Sequence, residues 1–588
     1  MKTLLLVVAI FSTQIVIAQL PLNTVCTNPE AELVLTGNYN PIDYLPSQVI
    51  DNPHDIAAEL SASLSADSLK SCLESLAGFY NRNTYSDTVS STVGIGAARR
   101  WVYSKFMEYS AANENRLIPS YLQFDMDQTA LCGASQFRNI FAVLPGTDTA
   151  DKSVIIIEAH VDSRCEDECS GTCLANGMED NGSGSALVME MARVMSRFAF
   201  KRSIVFLLTI GEEQGLYGAN AFARYAIDKG IEIREVQNND VIGGVTCGNT
   251  ASPPTDCTAE GQIDSTGVRI FSFGGYTLPH KSLARFIKLE YLEESLQHES
   301  VAMDIHIMTP EDRTGRSGDH IPFRQQGFTA SRLTAQHEHG NGNVSDPNYT
   351  DRQHTSRDIL GVDTTGDSTL DSFYVDFNYL RRNTLINATA ASMAALGPLT
   401  PEFNLLNDST NGLTVQITSQ QQYNRYRISI RRIATNYDLD LLFEFYGMMN
   451  CIIPGIKKDS SYFVSVASMD TNGIESLFTV EKHAVALGNT GGIGVNEISK
   501  GDLLVFSANP NPASGSTIIT VKTERKINGN AYLVLTNSVG SVLEKIMVKL
   551  DQGSAEISMS ADLPAGIYFY SLLLDGRLID SRKLIIIN

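Results

Sequence analysis

The first two thirds of the chain alternate short, continuously apolar runs with longer stretches of helical periodicity. Residues 155–157 and 203–210 are apolar enough to be fully buried strands. Residues 186–195 carry apolar side chains on nearly every face of a helix, which predicts a buried helix. Strands that alternate with helices indicate an α/β fold, with a mainly parallel central sheet flanked by helices.

The pattern changes after residue 396, where a helical stretch ends before Gly397 and Pro398. Residues 413–417, 426–430 and 461–467 alternate apolar and polar side chains, as half-buried strands do. Short strands at this even spacing predict a β-sandwich, and a second block of the same kind begins near residue 503. We therefore predict an α/β domain followed by two small all-β sandwich domains.

Histidines and acidic residues follow the apolar runs in the first two thirds of the chain. Two more of these residues lie in loops between the runs. Because parallel strands bind ligands beyond their carboxyl ends, one crevice is expected to collect this set. The residues are His160 and Asp162, Asp180, Glu212 and Glu213, Asp240, and His320.

Histidine nitrogens and carboxylate oxygens are the ligands that zinc prefers in catalytic sites. Two zinc ions can share a bridging carboxylate and a bridging water, and a carboxylate that binds no metal can take the water's proton. A lone His-x-Asp is accidental in most proteins, and two adjacent glutamates usually lie on a solvated helix face. Glu212 and Glu213, however, follow eight apolar or small residues. The full set predicts a two-metal hydrolase site.

Five motifs of this chain, in this order, resemble peptidase family M28, the di-zinc aminopeptidase type. The resemblance covers about residues 60–398 and implies a zinc-exopeptidase fold. The motifs are His160-Val161-Asp162, Gly177-Met178-Glu179-Asp180-Asn181-Gly182-Ser183-Gly184, Glu212-Glu213 before Gly215-Leu216-Tyr217-Gly218, Asn239-Asp240-Val241-Ile242-Gly243, and Gly318-Asp319-His320-Ile321-Pro322-Phe323.

The resemblance also implies a role for each residue of the set and two Zn²⁺ ions per chain. In this assignment, His160 and Asp240 bind one zinc, Glu213 and His320 bind the other, Asp180 bridges both, Glu212 is the general base and then the general acid, and Asp162 orients His160. His354, in a segment that is also similar to one near the family's site, is left out because five ligands already complete the pattern.

The expected function is that of a secreted zinc-dependent exopeptidase, an aminopeptidase that hydrolyses the N-terminal peptide bond with a metal-bridging water and a glutamate general base. Its substrates would be the N-termini of peptides or proteins. Two alternatives on the same fold stay open: a carboxypeptidase or dipeptidase, and a glutaminyl cyclase, which uses one zinc. A surface binding protein with an inactive peptidase scaffold is a further alternative, which Glu212 disfavours because such a scaffold needs no general base.

The two ends of the chain indicate export. Residues 1–18 have the charge and apolar core of a secretory signal peptide. Residues 503–588 resemble the C-terminal sorting domain of the type IX secretion system of Gram-negative bacteria, which implies that machinery as a partner and a secreted or cell-surface location. The motifs are Asn509-Pro510-Asn511-Pro512-Ala513, Leu563-Pro564-Ala565-Gly566-Ile567-Tyr568 and the terminal Lys583-Leu584-Ile585-Ile586-Ile587-Asn588.

Between these ends we expect four segments. Residues 19–55 are an N-terminal extension, either a lead-in that wraps the catalytic domain or a removable propeptide. Residues 56–398 form the peptidase domain, 399–487 resemble a fibronectin type III domain, and 488–502 are a linker. No later segment has about 20 apolar residues, so no transmembrane span is expected in the mature chain. The net charge of −21 argues against a nucleic-acid partner.

Nine cysteines in an exported chain favour disulfides, and the odd number leaves at least one thiol unpaired within the chain. Cys247 and Cys257, which flank a short polar loop, are the first pair expected. The loop with Cys165, Cys169 and Cys173 departs from the plain loop that family members usually have. Disulfides over the site are expected there rather than a metal cluster, and Cys132 is a plausible partner.

Overall fold

A computed structural model describes most of the chain from residue 21 to residue 587. The residues that it describes are 21–148, 150–247, 261–313, 315–338, 344–347, 349, 351–433, 437–490, 503–514, 516–523, 531–537, 542–549, 554–559, 563–564, 566–574 and 577–587. The expected signal peptide, most of the linker and Cys257 lie outside these residues.

One nine-stranded sheet forms the centre of residues 21–398, which we call the α/β domain. Its strands are β1 (Leu22–Cys26), β2 (Ile118–Met126), β3 (Ser135–Leu144), β4 (Val154–His160), β5 (Ser203–Thr209), β6 (Ile233–Asn239), β7 (Gly267–Ser272), β8 (Asp304–Ile307) and β9 (Ala330–Ala335). Their order is β1-β2-β3-β5-β4-β6-β9-β7-β8. A small hairpin of β10 (Gly361–Val362) and β11 (Ser372–Phe373) lies outside this sheet.

The α/β prediction is confirmed, and the sheet is mixed. Strands β5, β4, β6 and β9 are parallel neighbours in its centre. Strands β1, β2, β3 and β5 pair antiparallel. The short connection between β2 and β3 explains this edge, because a few residues can join antiparallel strands but a parallel pair needs a long crossover.

Helices pack around the sheet, and three of them are almost wholly buried. The helices are α1 (Pro29–Leu35), α2 (Pro53–Ser63), α3 (Ala66–Ala77), α4 (Gly94–Ala112), α5 (Ser183–Met195), α6 (Tyr217–Lys229), α7 (His280–Glu290), α8 (His320–Gln325) and α9 (Phe377–Leu396). Side-chain caps start several of them: the Asp376 carboxylate, for example, accepts a hydrogen bond from the backbone N–H of Tyr379 at the start of α9. These three are α5, α7 and α9, and the apolar side chains on nearly every face of α5 account for its burial.

The N-terminal extension is built into this domain. Strand β1 pairs with β2 at the edge of the sheet. Cys26, Ala31, Val34 and Leu35 are buried in the same apolar core as the central strands. In this structure the extension therefore wraps the catalytic domain, and its removal would expose core side chains.

Two antiparallel β-sandwiches follow, as predicted. The first consists of β12 (Phe403–Asp408), β13 (Gly412–Ile417), β14 (Arg425–Arg432), β15 (Leu441–Tyr446), β16 (Asn450–Ile452), β17 (Ser461–Met469) and β18 (Lys482–Val485). The second consists of β19 (Leu503–Asn509), β20 (Thr517–Thr523), β21 (Ala531–Asn537), β22 (Val542–Val548), β23 (Ser554–Met559), β24 (Gly566–Leu574) and β25 (Arg577–Ile586). Each has a three-stranded and a four-stranded sheet around its own apolar core. Their likeness to fibronectin type III and sorting domains stays a prediction.

The first sandwich contacts the α/β domain through polar side chains. Arg427 forms an ion pair with Glu293 at 2.7 Å, and Lys288 forms one with Asp438 at 2.8 Å. The backbone N–H of Glu481 donates to the carbonyl of Tyr276 at 2.9 Å. These contacts fix the first sandwich against helix α7 and the segments on both sides of it.

Disulfides form where the sequence analysis expected them. Cys132 bonds to Cys169 and Cys165 bonds to Cys173, so Cys132 is the partner of the three-cysteine loop. Cys247 is also disulfide-bonded. Within the described residues, the free thiols belong to Cys26, Cys72 and Cys451.

Candidate metal centre

Three neighbouring parallel strands bring the predicted side chains to one edge of the sheet. His160 is the last residue of β4, and it lies beside Thr209, the last residue of β5. Glu212 and Glu213 follow β5 after a short turn, and Asp240 follows β6 directly. Asp180 lies three residues before α5 and faces the same edge.

The first cluster has the imidazole of His160 between two carboxylates. His160 Nε2 lies 3.2 Å from Asp180 Oδ1 and 3.4 Å from Asp240 Oδ1. His160 Nδ1 donates a hydrogen bond to the backbone carbonyl of Asp162 at 3.1 Å. Since a carbonyl can only accept, the proton of the neutral ring is on Nδ1 and the lone pair of Nε2 points between the two carboxylates.

Asp162 therefore orients His160 through its backbone, and its side chain has a second role. The carboxylate oxygen nearest to His160 Nδ1 is 3.6 Å away. This carboxylate accepts a 2.9 Å hydrogen bond from Thr84 and faces the backbone N–H groups of Glu212 and Glu213 at 3.4 Å. It thus holds the turn that carries the two glutamates.

The second cluster shares Asp180 with the first. Asp180 Oδ2 lies 3.0 Å from His354 Nε2, which is 3.5 Å from Glu213 Oε2. Asp180 Oδ2 also accepts a 2.8 Å hydrogen bond from the side chain of Gln353. One carboxylate thus presents each of its oxygens to a different histidine, as a bridging ligand does.

His320 is not part of either cluster, and its assignment as a ligand is wrong for this structure. His320 Nε2 donates to the backbone carbonyl of Glu311 at 3.3 Å, in a pocket with Asp312 and Arg332. Burial lowers the pKa of His320 to about 4. Its neighbour in sequence, Asp319, faces the strand ends and accepts a 2.5 Å hydrogen bond from Thr209. Because α8 starts here, consecutive side chains point about 100° apart, and only one of the two can reach that edge.

His354 was the harder ligand to identify because it belongs to an irregular loop. No strand or helix of the sequence pattern ends at residue 354, and its φ of 62° is left-handed, which periodicity does not reveal. The signal in the sequence was the Gln353-His354-Thr355 segment itself. The ligand set needed one more histidine, and both this segment and the Gly-Asp-His motif could supply it.

The distances between these donor atoms suit zinc. The edge of a tetrahedron around a zinc ion with bonds near 2.05 Å is about 3.3 Å. The four donor-to-donor distances above run from 3.0 to 3.5 Å. His160 Nε2 and Glu213 Oε1 are buried and have no hydrogen-bond partner. Buried orphan ligand atoms of these types, at this spacing, fit two zinc ions.

The charge of the site also calls for cations. Four carboxylates, those of Asp180, Glu212, Glu213 and Asp240, surround two imidazoles. Burial raises the pKa of Glu212 to about 8, and the neighbouring carboxylates add to this effect. For Asp180, burial acts to raise the pKa, but the neighbouring imidazoles of His160 and His354 outweigh it and lower the pKa well below its usual range. Burying these carboxylates without a neighbouring positive charge therefore costs free energy.

Two further residues support the ligands from outside, and neither was found from the sequence. A side-chain nitrogen of Arg332 lies 3.1 Å from Asp240 Oδ2 and 3.1 Å from its backbone carbonyl, which leaves Oδ1 for His160 and a metal. The Asp358 carboxylate accepts hydrogen bonds of 2.9 Å from the backbone N–H groups of Glu179 and Asp180. Arg332 lies inside a strand and Asp358 in a loop, so neither has a motif around it.

Comparisons with known proteins agree with this site. Residues 139–267, which include His160, Asp180, Glu212, Glu213 and Asp240, match the model of peptidase family M28. A probable zinc metalloprotease of Leptosphaeria maculans is 29% identical over 296 residues, which are 49% of this chain and 67% of that protein. A probable zinc metalloprotease of Pyrenophora tritici-repentis is 27% identical over 359 residues, 59% of this chain and 78% of that protein.

Among solved structures, LapA of Legionella pneumophila is 20% identical, with a TM-score of 0.41. The similarity covers 60% of this chain and 79% of that one. The family match and the two zinc metalloprotease relatives confirm the expected M28 resemblance of the α/β domain. They do not distinguish one reaction of that family from another.

Proposed function

We propose that this zinc-dependent peptidase of the M28 type is an aminopeptidase with two zinc positions around Asp180. His160 and Asp240 hold the first zinc, Glu213 and His354 hold the second, and Asp180 bridges them. The observation that carries the proposal is the division of the Asp180 carboxylate, with Oδ1 beside His160 and Oδ2 beside His354. A structural ion pair would not need two separate imidazoles.

Glu212 moves the proton in this proposal. When bound, the two zinc ions would polarise the scissile carbonyl and lower the pKa of the attacking water. The Glu212 carboxylate lies with the donor atoms of His160 and Asp240, all within 4.8 Å of one another. It accepts the proton of the water and then donates it to the leaving amine. Asp162 keeps Glu212 in place through the backbone of the turn.

The choice of an N-terminal substrate rests on charge. The two clusters contain four carboxylates, and a carboxylate oxygen that no zinc ion uses would attract a free amine and repel a carboxylate. We therefore propose the N-termini of peptides or proteins as substrates. A carboxypeptidase would instead have to hold the substrate's carboxylate among these acidic groups.

We further propose that the protein acts outside the cytoplasm. The Cys132–Cys169 and Cys165–Cys173 disulfides are typical of proteins that fold in an oxidising compartment. Within the described residues, there is no helix with the length and hydropathy of a membrane span. Export by type IX secretion machinery, with residues 503–588 as the signal, belongs to the same proposal and is supported by the sequence motifs alone.

The test is hydrolysis of amino-acid p-nitroanilides and their N-acetylated forms by the full chain, with zinc counted in the same sample. We expect cleavage of the free-amine substrates only, with two zinc ions per chain. Two zinc ions without cleavage would favour a carboxypeptidase or dipeptidase, or a binding protein if peptides with free carboxyl ends also remained intact. One zinc ion with cyclisation of N-terminal glutamine would identify a glutaminyl cyclase.

A further inference from the structure

The loop that departs from the family pattern is tied down at two points. Residues 165–173, which we call the cystine loop, are closed by the disulfide between Cys165 and Cys173. Cys169, in the middle of the loop, is bonded to Cys132 in the connection between β2 and β3. Such a loop keeps its shape without a core of its own, because cross-links remove most of its freedom.

One side of the cystine loop contacts the segment that carries His354. The carboxylate of Glu166 accepts hydrogen bonds from the backbone N–H of Ser356, with both oxygens at 3.2 Å, and from its hydroxyl at 3.1 Å. Ser356 is two residues beyond His354. Glu166 is itself exposed, so this contact is made at the surface for no gain in core packing.

The other side contacts the turn that carries Glu213. The backbone carbonyl of Glu168 accepts a 2.9 Å hydrogen bond from the side chain of Gln214, which directly follows Glu213. Arg164 forms a 3.0 Å ion pair with the Glu168 carboxylate and keeps the loop in this position. The cystine loop thus joins the two segments that supply Glu213 and His354.

The backbone of His354 needs such support. Its φ of 62° is a left-handed conformation that residues other than glycine seldom adopt, and it persists only where the surroundings hold it. His160 and Asp240, by contrast, follow directly from strands β4 and β6 of the central sheet. The two residues that belong to the second cluster alone, Glu213 and His354, both lie in loops.

We propose that the cystine loop is a clamp for the second metal position, and that Glu166 is a positioning residue which acts through Ser356 on His354. This inference rests on the proposed function, because it assumes that Glu213 and His354 hold a zinc ion. It predicts that loss of the clamp weakens one of the two zinc positions and leaves the other unchanged.

The experiment is a titration of the metal-free full-length protein with Zn²⁺, followed by calorimetry, for the wild type and three single-residue variants. In Glu166→Ala we expect one of two zinc ions to bind at least tenfold more weakly, and the other within twofold of the wild type. Glu166→Gln, which keeps an oxygen acceptor for Ser356, should restore most of the affinity. Glu232→Ala is the control, since it removes the same charge from an exposed position outside the cystine loop and should bind as the wild type does.

A second pair of variants removes the cross-link instead of the contact. Cys165→Ser with Cys173→Ser should weaken the same single position as Glu166→Ala does. The clamp is refuted if Glu166→Ala binds both ions like the wild type, if it weakens both equally, or if Glu232→Ala shows the same loss. A wild-type protein that binds fewer than two zinc ions would refute the proposed function instead.

Discussion

Asp180 is the residue on which both proposed metal positions depend. Its two oxygens face different histidines at 3.2 and 3.0 Å, and its own conformation is fixed by Gln353 and Asp358. Because these contacts hold the carboxylate, it cannot rotate toward one metal position and away from the other. The separation of the two positions is therefore a property of this one side chain and its neighbours.

Glu212 can be tested apart from metal binding. Glu212→Gln should lower kcat by about 10²–10⁴-fold, because the amide cannot accept the proton of the water, and both zinc ions should stay bound. Steady-state kinetics on a free-amine p-nitroanilide and a zinc count on the same sample measure the two effects. The exposed Glu232→Gln serves as the control and should match the wild type. Loss of zinc from Glu212→Gln would show that Glu212 is a ligand and not the base.

The two candidate histidines give a matched pair of substitutions. His354→Ala should leave about one zinc ion per chain after dialysis, because the second cluster loses a ligand. His320→Ala should keep two, since its ring donates to the carbonyl of Glu311 and faces no other donor of the clusters. Metal analysis decides between them: two zinc ions in His354→Ala and one in His320→Ala would restore the assignment made from sequence.

The candidate ligands also show when the role of a single residue can be predicted from the sequence. His160, Glu213 and Asp240 were predictable because each follows a buried strand, and the carboxyl ends of parallel strands meet at one edge. His354 reaches the same place along a loop whose course depends on contacts distant in sequence, such as that between Glu166 and Ser356. Nothing in the local pattern encodes those contacts.

At the level of elements, the parallel centre of the sheet followed from the alternation of apolar runs with helices. The antiparallel edge could not be predicted in this way. Strand β2 carries polar residues at alternate positions, and one of its faces is only half buried. Three strands of the first sandwich, β13, β14 and β17, were visible as period-two runs. The pairing of the N-terminal extension with β2 was open from sequence, since one short strand can pair with any free edge.

The stability of the first sandwich should depend on pH through the carboxylate of Glu444. Burial acts to raise the pKa of Glu444, but its hydrogen bonds with Arg427 and Arg425 outweigh burial and lower the pKa to about 2. The folded pKa is below the ordinary value of 4.5, so the stabilisation is complete above about pH 4.5 and is lost as the pH falls toward 2.

We therefore expect Glu444→Gln to lower the unfolding temperature most at pH 6, and the gap to the wild type to narrow between pH 4.5 and 3.5. Thermal unfolding of both proteins across this range measures the gap. Glu402→Gln, at an exposed position, should show a small gap that does not vary. A Glu444→Gln gap that stays constant with pH would contradict the assignment of the low pKa to Glu444.

For the whole molecule, the first sandwich belongs structurally to the catalytic domain. Arg427 of β14 pairs with Glu293 at 2.7 Å, and Leu289 of α7 packs against Ala467 and Phe478 in one small apolar cluster. An adhesion module on a flexible tether would not need such contacts. The sandwich therefore supports the α/β domain, whatever else it binds.

Truncation tests this dependence. A chain that ends at residue 398 loses the partners of Glu293 and Lys288, and its unfolding temperature should fall by at least about 5 °C. A chain that ends at residue 490 keeps the first sandwich and should unfold like the full chain. Calorimetry of the three proteins compares them. Equal unfolding temperatures for the two truncated chains would show that the sandwich contributes nothing to the stability of the α/β domain.

The central claim is the place of the two zinc ions, and anomalous diffraction at the zinc absorption edge tests it most directly. We predict two peaks in a crystal of the zinc-loaded protein, one among His160, Asp180 and Asp240 and one among Asp180, Glu213 and His354. Glu212 should lie beside the first peak without binding it. A peak beside His320, or a single peak that Asp180 does not contact, would contradict the account.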